Sequence, residues 1–391
     1  VRRLVTRKRV VLALLAVAAV AAGGWRYRIT RPEYRFARGH EAIDAGNFKA
    51  AEQYAARLEA AGRNDRAHLL RAESLYARRD LEAALRECNQ IKDEGDIRLT
   101  AATLAGRCLL DLGAMTEADR AFNFVLSRRP DEVDAHRGAA AIAYEMGQWN
   151  RAIAHLEQVT RLDPADGRPH RMMAEILRDL ANMEGAIAEY REALRLGTGL
   201  SDAAREQARF ELCDALLQTA RFGEALAVLD AGGPAESEAP YMRAQRIEVL
   251  RALGRRQEAL ALTEEALAST PDGPFYRLRG QLYLDAGDAA RAVPLLEQAA
   301  QMSPNHYQSH FLLAKAYAAA GRKADAKRTN DRAEEIRKTY ELAFELQRQA
   351  VAHPKDPLIR LRLAELYEQT GDTKSGAVWR RAAAQLQGQV P

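Results

Sequence analysis

Alanine recurs along this chain at Ala51, Ala84, Ala118, Ala152, Ala186, Ala225, Ala259, Ala292 and Ala326, at successive intervals of 33, 34, 34, 34, 39, 34, 33 and 34 residues. A period near 34 accommodates two short helices and two turns, a unit that buries its apolar side only by stacking on its neighbours. Two further columns keep the same phase. Five residues before those alanines stands Gly46, Gly113, Gly147, Gly254, Gly287 or Gly321, with Arg79, Ala181 and Ala220 in place of glycine in the other three units. Seventeen residues after the turn position comes Pro130, Pro164, Pro271 or Pro304. Glycine takes the positive φ that ends a helix, and proline, lacking an N–H, stops the next one, so each period reads helix, turn, helix, stop.

The small and large positions sharpen this pattern. In residues 135–164, Ala140 is the small residue of the first helix, Gly147 turns the chain, Trp149 plugs the gap, and Ala152, Leu156 and Val159 face the core. The equivalent small positions elsewhere are Gly39, Ala72, Gly106, Ala174, Cys213, Gly280 and Ala314, and small residues there let neighbouring helices approach closely. Ile247 interrupts the column, and its unit is expected to be slightly splayed. On these residues the chain resembles the tetratricopeptide repeat family from about Glu33 to Leu386, in ten units. The resemblance implies an all-α, right-handed superhelical solenoid that binds other proteins or peptides on its concave face. High Ala, Leu, Arg and Glu content with few aromatics favours helix throughout, and no alternating stretch reads as a strand.

The formal charge of +4 is unevenly placed. Residues 1–38 hold ten Lys or Arg against one acid, Glu33, so the remaining chain is net acidic and lacks the positive field that nucleic-acid binding requires. No nucleic-acid partner is expected. Within this segment Arg2, Arg3, Arg7, Lys8 and Arg9 precede the uncharged, mainly apolar run Val10 to Trp25, and Arg26, Arg28 and Arg31 follow. At 1.5 Å per residue the run spans about 24 Å, enough to engage a bilayer if its flanking arginines snorkel. Three readings stay open: an uncleaved signal anchor with the repeats outside the cytoplasm, a signal peptide cleaved after Ala19-Val20-Ala21, and the inverted topology. The first is adopted, placing the protein in a bacterial inner membrane with its repeats facing the periplasm. Arginine far outnumbers lysine, as in GC-rich bacterial genomes.

Chemistry-bearing motifs are sparse. Cys88, Cys108 and Cys213 fall where small packing residues are expected, without a Cys-x-x-Cys pair. His306 and His310 have the spacing of a helical metal pair, but the first lies in a turn and the second at a packing position. Neither a phosphate-binding Gly-rich loop nor a nucleophile elbow occurs. No catalytic site, cofactor or metal is expected, and the protein reads as noncatalytic.

Binding chemistry is therefore sought on the first helices. Carried over from the family pattern, the concave face of the third to fifth units presents Arg107, Arg137, Tyr144, Arg168, Arg171 and Arg178, a set suited to a carboxylate or an acidic peptide. Asp111, Asp134, Glu145, Glu175 and Asp179 interleave with them and are positioned to neutralise them. The basic-residue-plus-asparagine clamp with which some family members hold peptide carboxyl termini is absent, since Arg137 is followed four residues on by Ala141 and Arg171 by Glu175. Tyr76, Phe210, Tyr241 and Phe311 join Tyr144 as scattered aromatics on the same face.

Two breaks in the period are also legible. Gly197 to Asp202 forms a loop that lengthens one interval to 39. After Ala326 no Gly or Pro occurs between Arg322 and His353, while Ala333, Ile336, Tyr340, Phe344, Gln347 and Val351 recur at threes and fours, which predicts one prolonged helix with those residues as its apolar stripe. The expected organisation is a basic segment and anchor helix at 1–25, a linker at 26–32, the repeat array at 33–337, a helical extension at 338–354 and a capping unit at 355–391. The function that follows is an interaction scaffold or assembly adaptor at the bacterial envelope. The alternatives are a cytoplasm-facing adaptor and an accessory subunit of a polysaccharide export or secretion machine.

Overall fold

The computed structural model describes residues 31–93, 95–233, 239–353 and 356–387, so the apolar run at 10–25 and the arginines before it lie outside the described residues. Among the described residues no helix is long and apolar enough to cross a membrane. These residues form helices and turns alone, and they divide into two compact units between Ser201 and Asp202, at the loop that breaks the period.

The first unit stacks five hairpins: α1 (Pro32–Asp44) with α2 (Phe48–Glu59), α3 (Asn64–Ala77) with α4 (Leu81–Asn89), α5 (Asp96–Asp111) with α6 (Met115–Leu126), α7 (Val133–Glu145) with α8 (Trp149–Leu162), and α9 (Arg168–Asp179) with α10 (Met183–Leu196). The second unit also stacks five: α11 (Asp202–Gln218) with α12 (Phe222–Asp230), α13 (Pro240–Ala252) with α14 (Arg256–Ser269), α15 (Gly273–Asp285) with α16 (Ala289–Met302), α17 (Tyr307–Ala319) with α18 (Lys323–Ala352), and α19 (Pro357–Gln369) with α20 (Thr373–Gln387). In both units each hairpin touches the next in sequence.

The hairpin turn is one repeated device. The glycines of the turn column take φ between 67 and 78°, and Arg79, Ala181 and Ala220, which replace glycine there, take 63, 59 and 57°. The reason is the hydrogen bonding. At the first turn Gly46 N–H reaches Ile43 O at 2.8 Å and Asn47 N–H reaches Ala42 O at 2.7 Å; at Ala181 the same pair runs to Arg178 O and from Asn182 to Leu177 O, both at 2.8 Å. These bonds satisfy carbonyls at the helix end, so the left-handed conformation persists without glycine at a cost of about 1–2 kcal/mol. The next residue then caps the second helix, as the side chains of Asn47, Asp80, Asn182 and Asp288 do by accepting from the N–H three residues on.

The small column does what its composition implies. A Cβ on Gly138 would lie 2.2 Å from the Phe122 ring and one on Gly106 2.7 Å from it, so the fully buried Phe122 of α6 occupies space that two neighbouring first helices leave empty. Leu296 fills the space beside Gly280 in the same way. Ile247 is fully buried, and its hairpin, α13 with α14, is the most loosely joined of the ten.

The prolonged helix runs unbroken as α18 for 30 residues, but its buried stripe differs from the expected one. Ala333, Ile336, Ala343, Leu346 and Ala350 are buried, whereas Tyr340 is half exposed and Phe344 is 71% exposed. Steps of four advance the stripe by about 40° each on a helix with 3.6 residues per turn, so Ile336, Tyr340 and Phe344 rotate out of the contact, while the seven-residue step from Ile336 to Ala343 stays in it. Leu346 and Ala350 pack on Leu363 of α19 with the partly buried Tyr367 and Trp379, so the last hairpin covers the extension. Tyr340 lies over a turn instead, its hydroxyl donating to Asn305 O at 3.3 Å.

Candidate binding face of the first unit

Arg107 projects from α5 as an exposed residue, one position after the small Gly106. Its guanidinium carbon lies 4.6 Å from the centre of the Tyr76 ring on α3. The Tyr76 hydroxyl donates to Asp111 Oδ2 at 3.2 Å, and the same oxygen receives Arg79 Nη1 at 2.8 Å. The strained turn residue Arg79 thus holds the carboxylate that orients the ring beneath Arg107. Arg107 itself makes no ion pair with a described residue.

The arginines of α7 and α9 are differently placed. Arg137 donates to Asp134 at 2.8 Å, Asp163 at 3.3 Å and Asp166 at 2.7 Å. Asp166 is 2% exposed and also receives the Arg168 backbone N–H at 3.0 Å and Arg168 Nε at 2.8 Å. Burial alone would raise its pKa, but the bonds from Arg168 and Arg137 outweigh burial and lower it. Gly199 belongs to this knot: its φ is 79°, and a Cβ there would lie 2.5 Å from Asp166 Oδ1. Gly167 N–H, next to Asp166, donates to Thr198 O at 2.9 Å. The loop that lengthens the period is therefore fastened to the turn before α9. Arg171 bonds Glu175 at 2.5 Å, and Arg178 bonds Asp179 at 3.3 Å.

Tyr144 completes the face. Its ring meets Trp149 edge-on at 5.4 Å between centres, and desolvation, then Asp179 and Glu175, raise its pKa, so it remains a neutral hydrogen-bonding phenol. Arg137, Arg168, Arg171 and Arg178 are engaged by carboxylates of the chain itself, while Arg107 is presented on an aromatic ring. A guanidinium held this way is pre-oriented for forked bonds to a carboxylate. In the second unit the face is likewise cross-linked: Arg251 reaches Glu248 at 2.9 Å and Asp285 at 3.2 Å.

The repeat pattern points to neither Asp163 nor Asp166, and the structure adds a further column of histidines. His68, His136 and His170 each face the residue nineteen positions later, as His68–Glu87 at 2.7 Å, His136–His155 at 3.0 Å and His170–Glu189 at 2.7 Å. The interval of 34 between His136 and His170, and of twice that from His68 to His136, was the available signal. Burial pushes the thiols of Cys88 and Cys213 up to about 12 and that of Cys108 up to about 11, which makes them packing groups rather than nucleophiles. His306 caps α17 by accepting from Ser309 N–H, and His310 bonds Pro304 O at 2.9 Å. Among the described residues no three His, Cys, Asp or Glu side chains are grouped to hold a metal ion.

Comparison with known proteins agrees with this architecture. One family model described as tetratricopeptide repeat matches residues 109–176 and 283–350, and a second of the same description matches 36–96. Among solved structures, YrrB, described as a TPR protein with an unusual peptide-binding site, is 18% identical, covers 48% of this chain and 95% of its own, and superposes with a TM-score of 0.41. A tetratricopeptide repeat protein from Parabacteroides merdae is 16% identical over 73% of this chain and 98% of its own, with a TM-score of 0.37. Human IFIT1, in a dimer with PPP-AAAA, is 16% identical over 89% of each chain, with a TM-score of 0.38. Likenesses at this level carry no argument about ligands.

Proposed function

The chain belongs to the tetratricopeptide repeat family, whose members typically mediate protein–protein interaction, and from that premise we propose that it is a noncatalytic scaffold at the bacterial cell envelope that binds an acidic segment of a partner protein on the first-helix face of its first unit. The observation that carries this reading is Arg107, exposed and stacked on Tyr76 with no carboxylate partner among the described residues. A partner carboxylate would meet a charged group already held in place, with Tyr144 offering apolar contact and a hydroxyl two helices along the same stack. The carboxylates around Arg137, Arg171 and Arg178 would repel acidic segments laid in the wrong register, giving selectivity by exclusion.

The envelope assignment rests on the apolar run Val10 to Trp25 with five basic residues before it. A tether of that kind would raise the effective concentration of a partner near the bilayer.

A photo-crosslinking residue placed at position 144, which leaves Arg107 in place, should capture a discrete partner in the native cell, and one at Arg120, a 73% exposed arginine of α6, should not. Arg107→Glu should abolish capture from position 144. Equal capture at positions 144 and 120, or capture from position 144 unaffected by Arg107→Glu, would defeat the reading. A periplasm-active reporter fused after residue 391 tests location separately, and activity only from a cytoplasmic reporter would reverse the orientation.

A further inference from the structure

The His-with-partner column identified above has one gap with a cavity in it. The third hairpin carries Ala102 and Ala121 at the positions that His68–Glu87, His136–His155 and His170–Glu189 occupy in other hairpins of the same unit. Loss of two large polar side chains leaves a groove of about 300 Å³ between α4, α5 and α6, lined chiefly by Leu85, Cys88, Ala102, Ala105, Leu109 and Ala121. One wall is α4, which spans only nine residues, whereas α2 and α6 span twelve each. The mouth is cationic. Arg98, exposed at the groove rim, has its guanidinium carbon 5.8 Å from the centre of the Phe124 ring, and Arg128 lies 4.1 Å from the same ring. Neither arginine is ion-paired with a described residue, and Arg128 donates only to the Ser127 hydroxyl. The groove also lies away from the proposed protein-binding face, because Arg107 is roughly 140–200° around α5 from Ala102, Ala105 and Leu109.

We propose that this groove binds a small aliphatic carboxylate, its chain against the alanine-lined floor and its carboxylate on Arg98. A concave apolar site with a few polar groups at one end is the usual form of a small-molecule pocket. The sign of the ligand follows from Arg98, a lining guanidinium with no ion-pair partner among the described residues, and from Arg128, which shares the Phe124 contact, and the chain follows from a floor of Ala, Leu and Cys side chains. An alcohol of equal length would lose the charged bond, and an alkylammonium would be repelled. This site is independent of the scaffold reading, which fails or stands on Arg107.

The test is calorimetric titration of the full chain with octanoate, decanoate and dodecanoate below their micellar concentrations, beside decanol and decylammonium. Affinity should rise about threefold to fourfold for each methylene that enters the groove. Decanoate should bind about tenfold or more tightly than decanol. Ala102→His with Ala121→Glu introduces the pair found in the second and fifth hairpins and should abolish decanoate binding with helical circular dichroism unchanged. Ala102→Leu serves the same purpose if the double variant does not fold. Arg98→Glu should reverse the preference between decanoate and decylammonium. No decanoate binding, equal affinities for decanoate and decanol, or unchanged binding in a folded groove-filled variant would overturn the proposal.

Discussion

Single side chains in this protein do work that their types alone do not announce. Arg79, Ala181 and Ala220 adopt left-handed backbone because the turn's two hydrogen bonds require it. Replacing Ala181 or Ala220 with glycine should therefore stabilise the fold by about 0.5–1 kcal/mol, the left-handed penalty removed less the entropy that glycine adds. Urea unfolding checks this, and a destabilised variant would show that the strain lies elsewhere. Arg79 is a poorer choice, because its guanidinium holds Asp111. The His136–His155 pair makes a pH-dependent contribution. His136 is buried, with Nε2 against Pro130 O at 2.8 Å, so its Nδ1 accepts when the ring is neutral and His155 Nδ1–H donates. Desolvation, then His136 and Arg151, lower the His155 pKa below its unfolded value. A depressed histidine pKa means that the unfolded chain takes up the proton first, so this stability is present above an unfolded pKa of about 6.5 and lost as the pH falls below it. His40 has the opposite sign, since its bond to Glu73 raises its pKa. The measurement is therefore a difference: the fall in melting temperature from pH 7.5 to 5.5 should be smaller in His155→Asn than in the parent, and an equal fall would remove the pair from the account.

At the scale of the helix, α18 shows how two sides of one element take different roles. Leu346 is buried against Leu363, and Phe344, two residues earlier, is mostly exposed. Leu346→Ala should cost about 2–4 kcal/mol in the stability of the last two hairpins, with Phe344→Ala changing it by less than about 0.5 kcal/mol. Hydrogen exchange over residues 340–387 reads both, and similar effects of the two variants would mean that the helix is rotated from the orientation described. Removing residues 355–391 would uncover Leu346 and Ala350, so cleavage near residues 340–351 should accelerate in that truncation. The short helices α4 and α12 are the other instance of element-level variation, and α4 forms one wall of the groove beside Arg98.

For the molecule as a whole, stability is distributed rather than vested in one core. Buried residues form separate clusters along the chain, among them one around Ala152 with Ala140, Ala143, Leu156, Met173 and Ile176 in the first unit, and one around Leu278 in the second. In a stacked array each hairpin is stabilised chiefly by its neighbours. Ala152→Trp, which overfills a fully buried position, should cost about 1–3 kcal/mol and raise hydrogen exchange across α7 to α10. Protection of residues 240–350 should stay at the parental level. A uniform loss of protection along both units would instead identify a single cooperative fold.

The sequence by itself determined the repeat, its phase and its helical nature, because those follow from short-range physics. Turn backbone, helix stops and small packing positions each recur at a fixed interval, and Gly46, Ala51, Ala140 and Leu156 can be placed from spacing alone. The six candidate binding residues came from the resemblance to the repeat family rather than from spacing, and the resemblance does not say which of them the chain's own carboxylates engage. Only the tertiary structure decided that Arg137 is bound at Asp166 and that Arg107 rests on Tyr76, because the partners lie 29 and 31 residues apart. The 199–166 contact and the Ala102–Ala121 gap are of the same kind. The Ile336–Tyr340–Phe344 row was misplaced for a related reason: periodicity within one helix says that it has an apolar side, but the hairpin packed against it, α19 with α20, chooses which rows are buried.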